Sequence, residues 1–309
     1  MTQDMLNAAA LSFRDGRPTD LYPANTLFAV RFADGVAGYC CMIDDTNYPT
    51  LFVYLGDAGL ASYYRLRTLP EDAPTYRAHE AMVRQDCLVC TFDPSDGAPL
   101  YRRHRPYAAV RPVTTKRDQE RLYGALSAAN TLFAFPPDDL LPDAANQTIP
   151  ALGLAPEAGA AVTLRRVQLP EDAKITADSP LLDPEAAAAL AAIEINPDQE
   201  LLVELTIAPE PLEGDPPMFP VGLLMVDPQE GIVGMPLVQD YPAEYTELAA
   251  GLLSFIMEHG KPYRVQVRDD TTYLLLQNSA QQIGLNLVLA ESLPEIELMK
   301  ISFYEGMKA

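Results

Sequence analysis

No run of apolar residues in this 309-residue chain approaches the roughly 18 that a membrane-spanning helix needs. An integral helical membrane protein is therefore not expected. No export leader is legible either. The chain opens Met1-Thr2-Gln3-Asp4, with an acid where a leader carries basic residues, and its apolar stretch at 8–11 is too short for a leader's hydrophobic part. Cysteine is scarce: Cys40, Cys41, Cys87 and Cys90 are all there are. In a chain of this size without an export signal, they are expected as reduced thiols of a cytoplasmic protein. The histidines, His79, His104 and His259, are too scattered for metal-ligand spacing, and no Gly-x-Ser-x-Gly elbow exists to pair with them. The two glycines of "YLGDAGL" (54–60) lack the three-glycine dinucleotide spacing and a following Lys-Ser/Thr, so they read as a turn.

Positive charge is also in short supply. Against 43 Asp and Glu there are 22 Lys and Arg, a formal charge of −21. The imbalance grows along the chain, from −4 over residues 1–150 and −4 over 151–195 to −13 over 196–309. A surface this negative repels phosphate backbones, which bind through displaced counterions. Nucleic acid is thus an unexpected partner, and a protein partner or self-association is the expected one.

What the chain does have is apolar residues, 48% of the total, enough for substantial cores. Its length favours more than one domain. Apolar spacing predicts a helix over 5–14, a hairpin of strands 27–32 and 36–43 turning at Ala33-Asp34-Gly35, and a strand at 51–55. A helix over 60–69, a strand at 87–92 and a helix from Thr114 or Thr115 to about Asn130 follow. Residues 101–113 read as irregular and basic, and 136–156 as loop. A strand at 162–167 and a helix at 184–193, capped by Asp183 with Pro184 at its first position, fill the middle. Beyond residue 196 come strands 200–207, 221–226 and 232–238, helix 242–259, strand 264–267, helix 271–283, strand 285–289 and helix 293–304. The expected class is α+β. An N-terminal antiparallel sheet with helices occupies 1–135, a connector or small middle segment 136–195, and a mixed sheet of order β-β-β-α-β-α-β-α 196–309. Three consecutive strands pair as a meander, and each later strand–helix–strand step is long enough to add a parallel strand.

That layout, with "FPVGLLMVDPQEGIVGMPLV" (219–238), "HGKPYRVQVRDD" (259–270) and "LPEIELMKISF" (293–303), resembles a degenerate ribonuclease H-like integrase core over about 110 residues. The resemblance implies three carboxylates at the sheet's end holding Mg or Mn for phosphoryl transfer. Glu204 falls on the first acid position, Asp269 on the second with Asp270 beside it, and Glu295 or Glu297 on the third. Glu204 is one methylene longer than the family's aspartate, and Thr271-Thr272-Tyr273 replace the residues usual after the second acid. The preferred expectation is therefore a non-catalytic binding or interaction module, with a divalent-metal nuclease or strand-transfer relative as alternative. The segments "LFAVRFADGVAGYCCMI", "LFVYLGDAGLASYYRL" and "RRHRPYAAVRP" resemble an uncharacterised bacterial two-domain family, which adds no activity.

Two further constellations stand beside these. Cys40-Cys41 and Cys87-Leu-Val-Cys90 together hold four thiols, but each pair lies in a predicted strand whose alternation turns its two thiols to opposite faces. Buried, unliganded cysteines are expected rather than zinc. Arg102, Arg103, Arg105 and Arg117 form a basic cluster near a helix start, a candidate small-anion site, with internal ion pairing as the plainer expectation.

Overall fold

A computed structural model of the chain describes residues 1–20, 22, 24, 26–45, 48–143, 145–153, 163–169 and 179–308. Its elements run α1 (Gln3–Gly16), β1 (Phe28–Arg31), β2 (Ala37–Asp45), β3 (Tyr48–Leu55), α2 (Gly56–Arg67), α3 (Thr75–Val83), β4 (Cys87–Phe92), β5 (Pro99–His104) and β6 (Arg111–Pro112). Next come α4 (Lys116–Thr131), β7 (Thr148–Gly153), β8 (Thr163–Gln168), α5 (Pro184–Ala191), β9 (Ile195–Ile207), β10 (Val221–Asp227), β11 (Gly231–Gly234) and β12 (Leu237–Val238). The last are α6 (Tyr241–His259), β13 (Lys261–Val267), α7 (Asp270–Ile283), β14 (Leu287–Leu289) and α8 (Pro294–Lys308). The class is α+β. Among the described residues no helix is long and apolar enough to cross a membrane.

The chain divides into two compact units. The first comprises Met1–Thr68, Arg84–Pro106 and Val110–Lys174, and the second Leu69–Val83, Tyr107–Ala109 and Ile175–Ala309. These bounds differ from a cut at 135 and 195. The segment 136–195 is shared out, with β7 and β8 joining the first unit's sheet and α5 lying in the second unit. Helix α3 belongs to the second unit although its sequence lies between α2 and β4.

The first unit is built on an eight-stranded sheet of order β6-β5-β4-β3-β2-β1-β7-β8, antiparallel except where β7 runs parallel to β1. The predicted hairpin turn is present, with Gly35 at φ 83° and the Val36 N–H donating to Asp34 Oδ1 at 3.1 Å. Strand alternation then sorts the side chains. Cys40, Leu51, Val53, Leu88 and Cys90 pack with Leu6 and Phe13 of α1 and Leu122 and Leu126 of α4. Tyr39, Cys41, Tyr54, Cys87 and Val89 pack with Leu60 and Tyr63 of α2 on the opposite face.

Two expectations need correction here. Residues 101–113 are not irregular: they contain most of β5 and all of β6, strands whose polar, partly exposed side chains carry no apolar alternation to read. The loop expected over 136–156 contains β7, which Pro150 disguised; β7 pairs with both β1 and β8. Residue 162 of the predicted 162–167 strand lies outside the described residues.

The second unit holds the mixed sheet, ordered β11-β10-β9-β13-β14 with β12 also paired to β10. β9, β10 and β11 are antiparallel neighbours, while β13 runs parallel to β9 and β14 to β13. The predicted 232–238 strand is broken into β11 and β12 around Met235-Pro236, since proline has no N–H for a ladder. One face packs its large core on α5, α6 and α7, through residues such as Leu190, Leu248, Leu252, Leu275 and Leu276. The other face meets α8, where Leu293 and Ile296 cover Leu202, Leu224 and Val226. Buried Lys261 donates to the carbonyls of Ala191 at 3.0 Å and Ile283 at 2.8 Å. It thereby places a cation at the carbonyl ends of α5 and α7.

Candidate functional site

The polar centre of the second unit is an ammonium group on an apolar helix face. Leu293, Ile296, Lys300 and Tyr304 recur at helical spacing and, among the described residues, are the buried ones of the α8 region. Lys300 is only 1% exposed, so its three N–H donors must all find partners inside the protein. They do: Nζ lies 2.7 Å from Glu204 Oε1, 2.9 Å from Glu80 Oε1 and 2.9 Å from the Leu205 carbonyl. The ammonium also stands 5.0 Å from the centre of the Tyr76 ring.

Strand alternation explains the delivery of Glu204. On β9, Leu201, Val203 and Leu205 face the large core, so Leu202 and Glu204 face α8. Helix α3 brings Tyr76 and Glu80, four residues apart and so on one face. Glu80 Oε1 also accepts the Ile207 N–H at 3.2 Å. Arg268, just beyond β13, donates to Glu204 Oε1 at 2.7 Å and lies 3.5 Å from Glu297 Oε2. Arg77 closes the far side at 2.9 Å from Glu297 Oε1. Three cations, Lys300, Arg268 and Arg77, thus balance three carboxylates, Glu80, Glu204 and Glu297. Burial alone would raise the pKa of Glu204, but Lys300 and Arg268 hold it below its ordinary value. Burial likewise works against a charged Lys300, and Glu80 and Glu204 outweigh it to raise its pKa. Glu204 Oε2 is buried with no hydrogen-bond partner.

The acids expected to converge on a metal are placed as follows. Glu204 is enclosed by the two cations. Asp269 is the N-cap of α7: it accepts the Thr272 N–H at 2.9 Å and the Thr272 hydroxyl, whose oxygen accepts the Leu205 N–H at 3.1 Å. Asp270 is exposed in the first turn of α7. Glu297 joins the cluster through Arg268 and Arg77, and Glu295 is exposed in the first turn of α8. The structure therefore brings Glu204 and Glu297 to one cluster but interposes guanidinium and ammonium groups. Among the described residues no group of three or more His, Cys, Asp and Glu is arranged to hold a metal ion. Sequence reasoning missed Lys300, Glu80 and Tyr76. A lysine on the apolar stripe of α8 was the one legible signal.

The basic cluster of the first unit does not converge. Arg102 and Arg103 are neighbours on β5, so they point to opposite faces. Arg103 pairs with Asp86 at 2.5 Å, and Arg117 with Asp34 at 2.8 Å. Arg102 and Arg105 are exposed. Burial, then Arg102 and Arg103, push His104 down to about 4, so it adds no charge there near neutral pH. The four thiols are free and buried, divided between the two sheet faces, and burial raises each pKa, that of Cys41 to about 12.

Comparison with known proteins gives a family model described as a domain of unknown function (DUF6930), which matches residues 189–304. No curated protein matches the chain. Among solved structures, similarity is found to a chain of the cryo-EM structure of a simian T-cell lymphotropic virus intasome in complex with PP2A regulatory subunit B56 gamma. The identity is 12% and the TM-score 0.28, over 36% of this chain and 41% of that one.

Proposed function

We propose that the chain is a non-catalytic binding or interaction module, whose second unit keeps a ribonuclease H-like layout while the acids at its sheet end serve an internal ion cluster. The layout is supported by the strand order β11-β10-β9-β13-β14, with its antiparallel meander followed by two parallel additions. The observation that carries the non-catalytic reading is Glu204 Oε1, with Lys300 Nζ and Arg268 Nη2 each 2.7 Å away. A divalent ion would have to displace a buried ammonium and a guanidinium to reach it, at large electrostatic cost. The pairing of Arg103 and Arg117 with carboxylates of their own unit weighs against the small-anion alternative. A cytoplasmic location belongs to the same reading and is supported by the four free thiols.

Manganese titration of the whole protein, read by calorimetry and by cleavage of single- and double-stranded DNA and RNA, is the test. The expected result is neither saturable binding nor cleavage. Manganese-dependent cleavage abolished by Asp269→Asn would overturn the reading in favour of the nuclease alternative.

A further inference from the structure

The two faces of the second unit's sheet are unequally covered. The large core closes one face, whereas the hydrophobic cluster on the other is small, Leu202, Leu224, Val226, Leu293 and Ile296, beside the buried ion cluster of Glu204 and Lys300. The uncovered part lies at the β11–β12 edge. Ile232 stands opposite Val226 and Leu237 opposite Gly222, and directly opposed residues of antiparallel strands share a face. Both side chains therefore extend the small apolar face, and each is 50% exposed. Met235 packs against the same face beside Gly222, and Met299 of α8 borders it. Single exposed apolar residues are ordinary, but several on one face mark an interaction surface. Methionine adapts readily to different partners.

Charge decides what fits. From Lys174 to Lys261 the intervening chain carries 16 Asp and Glu and no Lys or Arg. Glu230 is exposed in the turn before Ile232, and Glu291 and Glu295 are exposed where α8 begins. The whole unit has 6 Lys and Arg against 25 Asp and Glu, net −19.

We infer that the Ile232–Met235–Leu237 face beside α8 is a docking surface for a basic amphipathic helix of another protein. Such a helix would lay its apolar stripe on the open part of the sheet, and its Lys and Arg would meet the acidic rim. The inference rests on reading the chain as an interaction module and supplies the chemistry of the partner.

The probe is a synthetic peptide of about 18 residues with leucine at i, i+3, i+4 and i+7 and lysine elsewhere, titrated by fluorescence anisotropy into the full-length protein. Saturable binding is expected, weakening as salt rises. The double substitution Ile232→Ser with Leu237→Ser should weaken it by at least about tenfold. Met257→Ser, at a 62%-exposed position on α6, should leave it unchanged. Circular dichroism melts verify that both variants fold. Equal binding by the double variant, equal loss in Met257→Ser, or equal binding of a peptide with glutamate in place of lysine would each overturn the proposal. So would a wild-type dimer in sedimentation that the double variant dissociates, since a second copy would then cover the face. These outcomes are separate from the manganese titration: cleavage there removes the module reading, while failure here removes this surface alone.

Discussion

The two units solve burial in opposite ways. The first has 16 Lys and Arg against 18 Asp and Glu, net −2. It holds an enclosed pair such as Arg121 with Asp118 at 3.6 Å with both side chains still about a tenth exposed, while thiols and aromatic rings fill both sides of its sheet. The second carries net −19 and buries an ammonium inside its smaller core. Strong net charge therefore does not mean that charge stays outside. A buried lysine is tolerable only because Glu80, Glu204 and the Leu205 carbonyl take all its donors.

The harshest way to break this contrast is Lys300→Met. The side chain is of similar bulk, but two carboxylates lose their shared cation. Removing one partner of a buried pair costs about 3–5 kcal/mol, so urea unfolding of the second unit should shift by that order. A loss below about 1 kcal/mol, the range of exposed pairs, would mean that the cluster is effectively solvated. In the first unit the counterpart is Cys90→Ser, which sets a hydroxyl among Leu51, Leu88 and Leu122. An unsatisfied hydroxyl there should cost about 1–3 kcal/mol, and native thiols should resist alkylation until the unit unfolds.

The two units also differ in the pH at which their buried groups titrate. Glu204 has a folded pKa below its ordinary 4.5, so its contribution is present above that value and is lost as pH falls through the folded one. Cys41 is raised from 9.0 to about 12, so its contribution is whole below 9.0 and is lost as pH rises toward 12. Unfolding followed by tyrosine fluorescence across pH should show acid loss from the buried carboxylate cluster, abolished by Glu204→Gln. Asp34, in the first unit, is also low, at about 2. Burial raises it, but Arg117, the Val36 N–H and Arg121 prevail. Its solvent-screened pairs give it a small share of any acid effect.

How much of this was legible depended on whether a residue's surroundings lay nearby in sequence. The hairpin turn at Gly35, the Thr115 and Asp183 caps and the alternation of the cysteines are local facts, and each could be read from neighbouring residues. β5 and β7 were not, because Arg102, Arg103 and Pro150 erase the apolar period that marks a strand. Glu204, and Glu295 or Glu297, could be singled out through the resemblance to a ribonuclease H-like core. Their partners could not, because Glu80 lies 220 residues from Lys300 and reaches it on a helix that the first unit's sequence encloses. Long-range cations decide whether a carboxylate holds a metal or an ion pair, and no local pattern announces them.

The gentlest test concerns Asp269, where the local and the long-range readings part. As the second acid of a metal site, it would lose its function on conversion to asparagine. As the N-cap of α7, it needs only an oxygen to accept the Thr272 N–H, which asparagine supplies as well. Asp269→Asn should therefore be nearly neutral in urea unfolding. Asp269→Ala should cost about 1 kcal/mol, the usual worth of a cap. The hydroxyl of Thr272 ties this cap to β9, since it donates to Asp269 and accepts the Leu205 N–H. Alanine would leave that hydroxyl without its acceptor, so the loss should fall toward the upper end of the capping range. If asparagine proved as damaging as alanine, the negative charge itself would matter at this position, and the structural account of the second acid would fail.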